Sequence, residues 1–332
     1  MHTPYPLVFE PILMPKVWGG RRLERFGKAL PPGQLIGESW ELADLGTTSA
    51  SGGGGGAARS VIANGPLAGQ TLHHALTAWD TRLVGSTALS RHGGFPLLVK
   101  FLDARENLSV QVHPSPAYAA SHPETNLKTE SWFILDAEPG SVIYKGIRPG
   151  VTREDFARHI EDGTVVNDLI AVPAVPGECH NLPSGTCHAL GAGVLVAEVQ
   201  TPSDTTFRVF DWGRVGRELH VEQSLECIDF GPAPAESRLA PDSRGGKLVT
   251  TEFFELSVFK PRGQEVSGKE AFGGRCACVM ALRGSLTLHP EPGAAVELAA
   301  GRTGLVPGAI SGTTRVRSTP DATFLVATLP RA

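Results

Sequence analysis

Leu108-Ser109-Val110-Gln111-Val112-His113-Pro114 is the stretch on which the fold turns. Read as a strand, its period of two sends Leu108, Val110 and Val112 into sheet packing and presents Ser109, Gln111 and His113 on the opposite face. Two metal-capable side chains then point the same way. The surrounding sequence repeats the pattern, with short apolar and β-branched runs at 96–102, 130–135, 141–145, 193–200 and 206–210, each bounded by turn formers. The 39 glycines and 26 prolines break the chain too often for long helices. A mainly β fold follows. Helix is expected at 71–84, where Leu72, Leu76, Trp79 and Leu83 recur at helical spacing, and after Thr152, which is followed by Glu154 and Asp155.

A third and a fourth candidate ligand lie further along. Glu130 opens the 130–135 strand, and His188 sits in Leu182-Pro183-Ser184-Gly185-Thr186-Cys187-His188-Ala189-Leu190, where Pro and Gly turn the chain sharply. Gln, His, Glu and His make a mixed oxygen and nitrogen set that suits Zn²⁺ and related divalent ions and leaves a position open. His73, His74, His92, His122, His159, His180 and His220 read instead as hydrogen-bonded or surface residues. Cys179-His180 and Cys187-His188 match no paired-cysteine zinc motif, and Cys276 and Cys278 read as buried apolar thiols.

The 332 residues, 41% hydrophobic and 19% charged, exclude a disordered chain and suggest about two domains. Pro, Ala, Ser, Arg and Gly accumulate at 231–247, which we read as a linker between residues 1–230 and a small β unit at 248–332. That second unit has strand-like runs at 253–260, 277–282, 285–289 and 323–329, and His289 is its only histidine. The glycine run at 51–56 reads as a flexible loop, because no Lys-Ser/Thr follows at phosphate-loop spacing. Thirty Lys and Arg against 34 Asp and Glu give a net charge of −4, which argues against a nucleic-acid partner. No apolar run approaches a membrane span, and residues 1–7 carry no targeting pattern. With an odd count of five cysteines, a cytoplasmic protein without structural disulfides is expected.

Taken in order, several segments resemble one family. They are Pro15-Lys16-x-Trp18-Gly19-Gly20, Gly37-Glu38-Ser39-Trp40-Glu41, Asn64-Gly65-Pro66-Leu67-x-Gly69, and Pro96 through Ala104. Then come Ser109-Val110-Gln111-Val112-His113-Pro114, Lys128-Thr129-Glu130-x-Trp132, Pro183-Ser184-Gly185-Thr186-x-His188-Ala189, and Glu198-Val199-Gln200-x-x-Ser203-Asp204-x-Thr206-Phe207-Arg208-Val209-Phe210-Asp211. Together they resemble the type I mannose-6-phosphate isomerases (phosphomannose isomerases), zinc-dependent cupins, in their short bacterial form. The likeness runs from about residue 6 to residue 212 and is weak beyond the linker.

The resemblance implies a cupin jelly-roll catalytic domain with helical insertions, followed by a degenerate cupin. It implies one Zn²⁺ per chain held by Gln111, His113, Glu130 and His188, and a small-molecule sugar phosphate as partner. The reaction would interconvert mannose 6-phosphate and fructose 6-phosphate through a cis-enediol. Glu198 would move the proton, with Lys128 as the alternative, while Arg208, Lys128 and Lys100 would meet phosphate or enediolate oxygens. A structural account of Arg208 would pair it with Asp204 or Asp211, and one of Glu198 would have it orient a ligand. A cupin isomerase for another phosphosugar and a non-catalytic metal-containing sugar-phosphate-binding cupin are the competing readings.

Overall fold

The structure, a computed structural model, describes residues 2–49 and 52–330; Met1 and Ser51, which fall within segments read above, lie outside it. Strand dominates, and every strand pairing is antiparallel, in line with the mainly β expectation. A six-stranded sheet runs Cys179–Leu182, Glu130–Ala137, Val194–Gln200, Leu98–Ala104, Ile36–Leu42, Ile12–Gly20. A five-stranded sheet runs Leu169–Pro173, Val142–Ile147, His188–Leu190, Val110–Val112, Phe207–Phe210.

Alternation decides what each face does. On the six-stranded sheet Leu102, Ala104, Trp132, Ile134, Val194 and Val196 turn inward and meet Ile143 and Leu190 of the five-stranded sheet. The intervening residues, Val99, Phe101, Phe133, Leu195, Ala197 and Val199, face the other way and are as fully buried. Strands covered on both faces bury both sets of side chains, whether apolar or, as with Lys100, Glu130 and Glu198, charged. That outer face packs on Leu256, Val258, Met280, Leu305 and Leu325 of a seven-stranded sheet. The outer face of the five-stranded sheet is closed by the helices Arg153–Glu161 and Val221–Cys227, through Phe156, Ile160 and Cys227.

The seven-stranded sheet combines Gly245–Thr250, Glu255–Phe259, Thr323–Thr328, Ala277–Arg283 and Thr303–Val306 with Leu7–Glu10 and Val61–Ile62. Leu7 pairs with Leu305 and Val8 with Gly304, so the sheet crosses the stretch read as a linker. That stretch is itself anchored: Ser237 and Cys179 exchange backbone hydrogen bonds of 2.9 and 2.7 Å. The strand Gly245–Thr250 begins inside it.

Local signals explain the helices. Thr152 accepts from the Asp155 N–H and Asp155 reaches back to the Thr152 N–H, a capping box that fixes the start of Arg153–Glu161. The helix expected at 71–84 is broken instead. Thr71 caps Leu72–Trp79, but Asp80 adopts φ 47° and the chain restarts as Thr81–Val84, an arrangement that buries both Trp79 and Leu83. The strand expected at 108–113 is ordered as Val110–Val112, with the Leu108 N–H bonded to the Leu190 carbonyl. Among the described residues, no helix is long and apolar enough to cross a membrane.

Phe101, fully buried on the outer face of the six-stranded sheet and stacked on Phe26 with ring centroids 5.4 Å apart, tests the packing of that face. Phe101→Ala should lower unfolding free energy by about 3–5 kcal/mol, read from denaturant midpoints. A loss under about 1 kcal/mol would mean that this face is not packed in solution.

Candidate active site

Register brings the site together. His188 and Arg208 are both direct cross-strand partners of Gln111, and Glu198 lies between Lys100 and Trp132 on the opposite sheet. Slipping any of these strands by one residue would turn its polar side chains into the apolar layers.

The His113 Nε2 lies 3.4 Å from Glu130 Oε2, and the His188 Nε2 lies 3.1 Å from Glu130 Oε1. Donor atoms of these three residues all fall within 4.8 Å of one another. The Gln111 amide completes the group, 3.4 Å from His188 Nε2. Each imidazole is tethered through its outer nitrogen, His113 Nδ1 to the Thr205 carbonyl at 3.1 Å and His188 Nδ1 to the Thr186 carbonyl at 2.7 Å. An imidazole donating from Nδ1 holds its Nε2 lone pair toward the cluster, the arrangement in which histidine ligates metals.

The electrostatics agree. Burial, with the Lys128 ammonium beside it, pushes His113 down to about 3, so the ring is neutral at pH 7. Against the effect of burial, Lys128 and His113 hold Glu130 well below the usual carboxylate range. Neither Glu130 oxygen receives a well-aligned hydrogen bond, although the Lys128 Nζ lies 2.6 Å from Oε2 and offsets its charge. Two imidazoles with their Nε2 atoms turned to the cluster, an ionised carboxylate with unsaturated oxygens and an adjacent amide are a donor set that fits Zn²⁺.

A cavity lined by Gln111, Lys128, Trp132 and Arg208 opens beside this cluster. Glu198 is buried in its wall, where burial and the neighbouring Glu130 charge raise it to about 8 despite Lys100 and Lys128. Lys100 bridges Glu198 and Glu38, 3.5 Å from each, with its ammonium 5.1 Å from the Trp40 ring centroid. Burial alone would lower this lysine, but Glu198 and Glu38 raise it well above its ordinary value. Glu38 falls to about 2: Lys100 and Lys16 outweigh its burial.

Arg208 is nearly buried, and its Nη1 donates to the Glu218 carbonyl at 2.6 Å while its Nε has no partner. Among the described residues it pairs with neither carboxylate considered above. Asp211 is taken by Arg214 and Arg217, and Asp204 binds Ser49 and the Gly53 N–H. Lys16, Glu38, Trp40 and Arg217 also line the cavity. Lys16, Glu38 and Trp40 belong to quoted motifs, but a motif of one strand does not reveal which cross-strand groups it meets.

The glycine run is held more firmly than a free loop. Gly52 lines the cavity and its carbonyl accepts from the Lys16 ammonium at 2.8 Å. All five cysteines are buried and free, and burial pushes the Cys179 and Cys187 thiols up to about 12. His180 is buried too, its Nδ1 3.4 Å from Lys145, away from the three-residue cluster.

A family model for the catalytic domain of type I phosphomannose isomerase matches residues 13–134. Mannose-6-phosphate isomerase ManA of Bacillus subtilis is 37% identical over 272 residues, 80% of this chain and 81% of the relative. The chain belongs to the type I mannose-6-phosphate isomerase family. It is thereby an enzyme of the isomerase class with a cupin fold. A mannose-6-phosphate isomerase of Streptococcus mutans is 36% identical, with 79% of each chain covered. The crystal structure of the B. subtilis mannose 6-phosphate isomerase superposes with a TM-score of 0.82 at 28% identity, covering 98% of this chain and 99% of that one. A zinc-bound mannose 6-phosphate isomerase superposes at 0.75 with 17% identity, a likeness of fold, covering 98% and 100%.

Proposed function

We propose that this isomerase interconverts mannose 6-phosphate and fructose 6-phosphate, with one Zn²⁺ per chain held by Gln111, His113, Glu130 and His188. The observation that carries the reading is the tethering of both imidazoles through Nδ1, with their Nε2 atoms turned on Glu130 beside a cavity that also exposes Glu198. When bound, the ion supplies Lewis-acid polarisation of the sugar's C1 and C2 oxygens, worth several kcal/mol in the transition state.

The chain's own groups supply the proton chemistry. In the aldose-to-ketose direction Glu198 takes the C2 proton while O1 gains one, giving a cis-enediol, and then returns its proton to C1 as the O2 hydroxyl proton is lost. A carboxyl poised at about 8 is present in both protonation states near neutral pH, which suits a group that must accept and then donate. Lys128 is the less favoured base because its ammonium is engaged by Glu130 at 2.6 Å. Lys128, Lys100 and Arg208 offset charge developing on the sugar oxygens, Arg208 with a buried Nε that no protein group satisfies.

Residues 1–230 form the catalytic cupin in this reading, with 231–247 as the connection. Residues 248–332 form a degenerate cupin that covers the outer face of the catalytic sheet. The enzyme acts in the cytoplasm on a small-molecule substrate, without nucleic-acid or membrane partners.

Three substitutions separate the parts. His113→Ala should lower bound zinc, measured by mass spectrometry, and abolish isomerisation; full activity without metal would end the metal assignment. Arg208→Ala should reduce kcat/KM more than about tenfold, roughly 1.4 kcal/mol, and an unchanged value removes Arg208 from the reaction. Glu198→Gln should reduce kcat by about 100-fold or more in a coupled assay with fructose 6-phosphate. A near-normal kcat would transfer the base role elsewhere, and absence of turnover by the unsubstituted metal-loaded chain would favour a binding protein.

A further inference from the structure

The three cations of the proposed mechanism line the inner cavity and not the groove that continues it outward. Arg208 lies across the ladder from Gln111, Lys128 touches Glu130, and Lys100 touches Glu198. In a hexose 6-phosphate, the carbons that exchange the proton and the phosphate are at opposite ends of a six-carbon chain. A substrate whose C1 and C2 oxygens face the metal-ligand cluster therefore carries its dianion to the other end.

Lys16 stands there. It lines both the inner cavity and the groove that continues outward past Trp18, Gly52 and Arg217. Its side chain is only 13% exposed. The position is built by two glycines. A Cβ on Gly37 would come within 2.6 Å of the Lys16 Cβ and 2.7 Å of its Cγ, so only glycine lets the stem cross the neighbouring strand. A Cβ on Gly52 would fall 2.4 Å from Asp204 Oδ2 and 2.6 Å from Ser49 Oγ. Without it, Asp204 Oδ2 accepts from the Ser49 N–H at 2.7 Å, Ser49 Oγ at 2.9 Å and the Gly53 N–H at 3.0 Å, and the loop seats with the Gly52 carbonyl 2.8 Å from Lys16 Nζ.

An ammonium has three donors. One goes to Gly52, and Glu38 Oε1 lies 3.5 Å away as a second partner. We propose that Lys16 is a substrate-binding residue that gives its remaining donor to the phosphate of the hexose phosphate, and that Asp204 and the glycine-rich loop are the device that positions it. This deepens the sugar-phosphate reading above and rests on it. The glycine run is then part of the binding site, acting through a carbonyl that aims a lysine rather than through N–H groups wrapped around the anion.

The test is steady-state kinetics with fructose 6-phosphate on the zinc-loaded chain and on Lys16→Gln, Gly52→Ala and the double variant, with bound metal measured in each. Lys16→Gln should raise KM about tenfold or more, with a smaller effect on kcat and unchanged metal content. Gly52→Ala should raise KM as well, and the double variant should be no worse than Lys16→Gln alone, because the loop acts through the lysine. An unchanged KM in Lys16→Gln overturns the assignment, and KM effects that multiply overturn the role of the loop. Should Gly52→Ala not fold, Asp204→Asn takes its place in the cycle. If the unsubstituted chain does not turn over, the isomerase reading fails first. The assignment is then judged by binding of inorganic phosphate to the metal-free chain, which Lys16→Gln must weaken for it to stand.

Discussion

Three carboxylates and three ammonium groups share the mouth of one β-barrel, and none is tolerable there alone. Glu38, Glu130 and Glu198 interleave with Lys16, Lys100 and Lys128 at 2.6–3.8 Å, in surroundings that are largely dry. Removing a partner would strand a buried charge at a cost of several kcal/mol. Arg208, Arg217 and Asp204 line the same cavity.

This lattice exists because the register of two sheets is fixed elsewhere. Along Val194–Gln200 the inward positions change from Val194 and Val196 to Glu198 and Gln200, so one strand carries both barrel core and active site. The apolar half, locked by both of its faces, sets the geometry of the polar half. Positional precision at the Glu198 carboxylate thus comes from packing at the far end of its own strand.

The period-two pattern of 108–113 made this face readable, because Val110 and Val112 alternate with Gln111 and His113 in four consecutive residues. The cluster of Glu130, His113 and His188 was accessible for the same reason: few residue types bind metals, and motif order restricted the choice. Partners set only by the three-dimensional register were hidden. Nothing local to Lys16 names Gly52, and nothing local to Asp204 distinguishes pairing with Arg208 from capping a loop 155 residues earlier in the sequence. The break at Asp80 was hidden too, since 71–84 has continuous helical spacing and only tertiary packing of Trp79 and Leu83 requires two short helices.

The strand Leu7–Glu10 lies within the seven-stranded sheet, with Thr303–Val306 on one side and Val61–Ile62 on the other. During synthesis this strand must therefore wait, unpaired along one edge, until residues 303–306 have left the ribosome. Leu7 and its partner Leu305 are nearly 300 positions apart, so closing this ladder carries a high loop-closure entropy, and the seven-stranded sheet is complete only when both ends of the described chain meet in it.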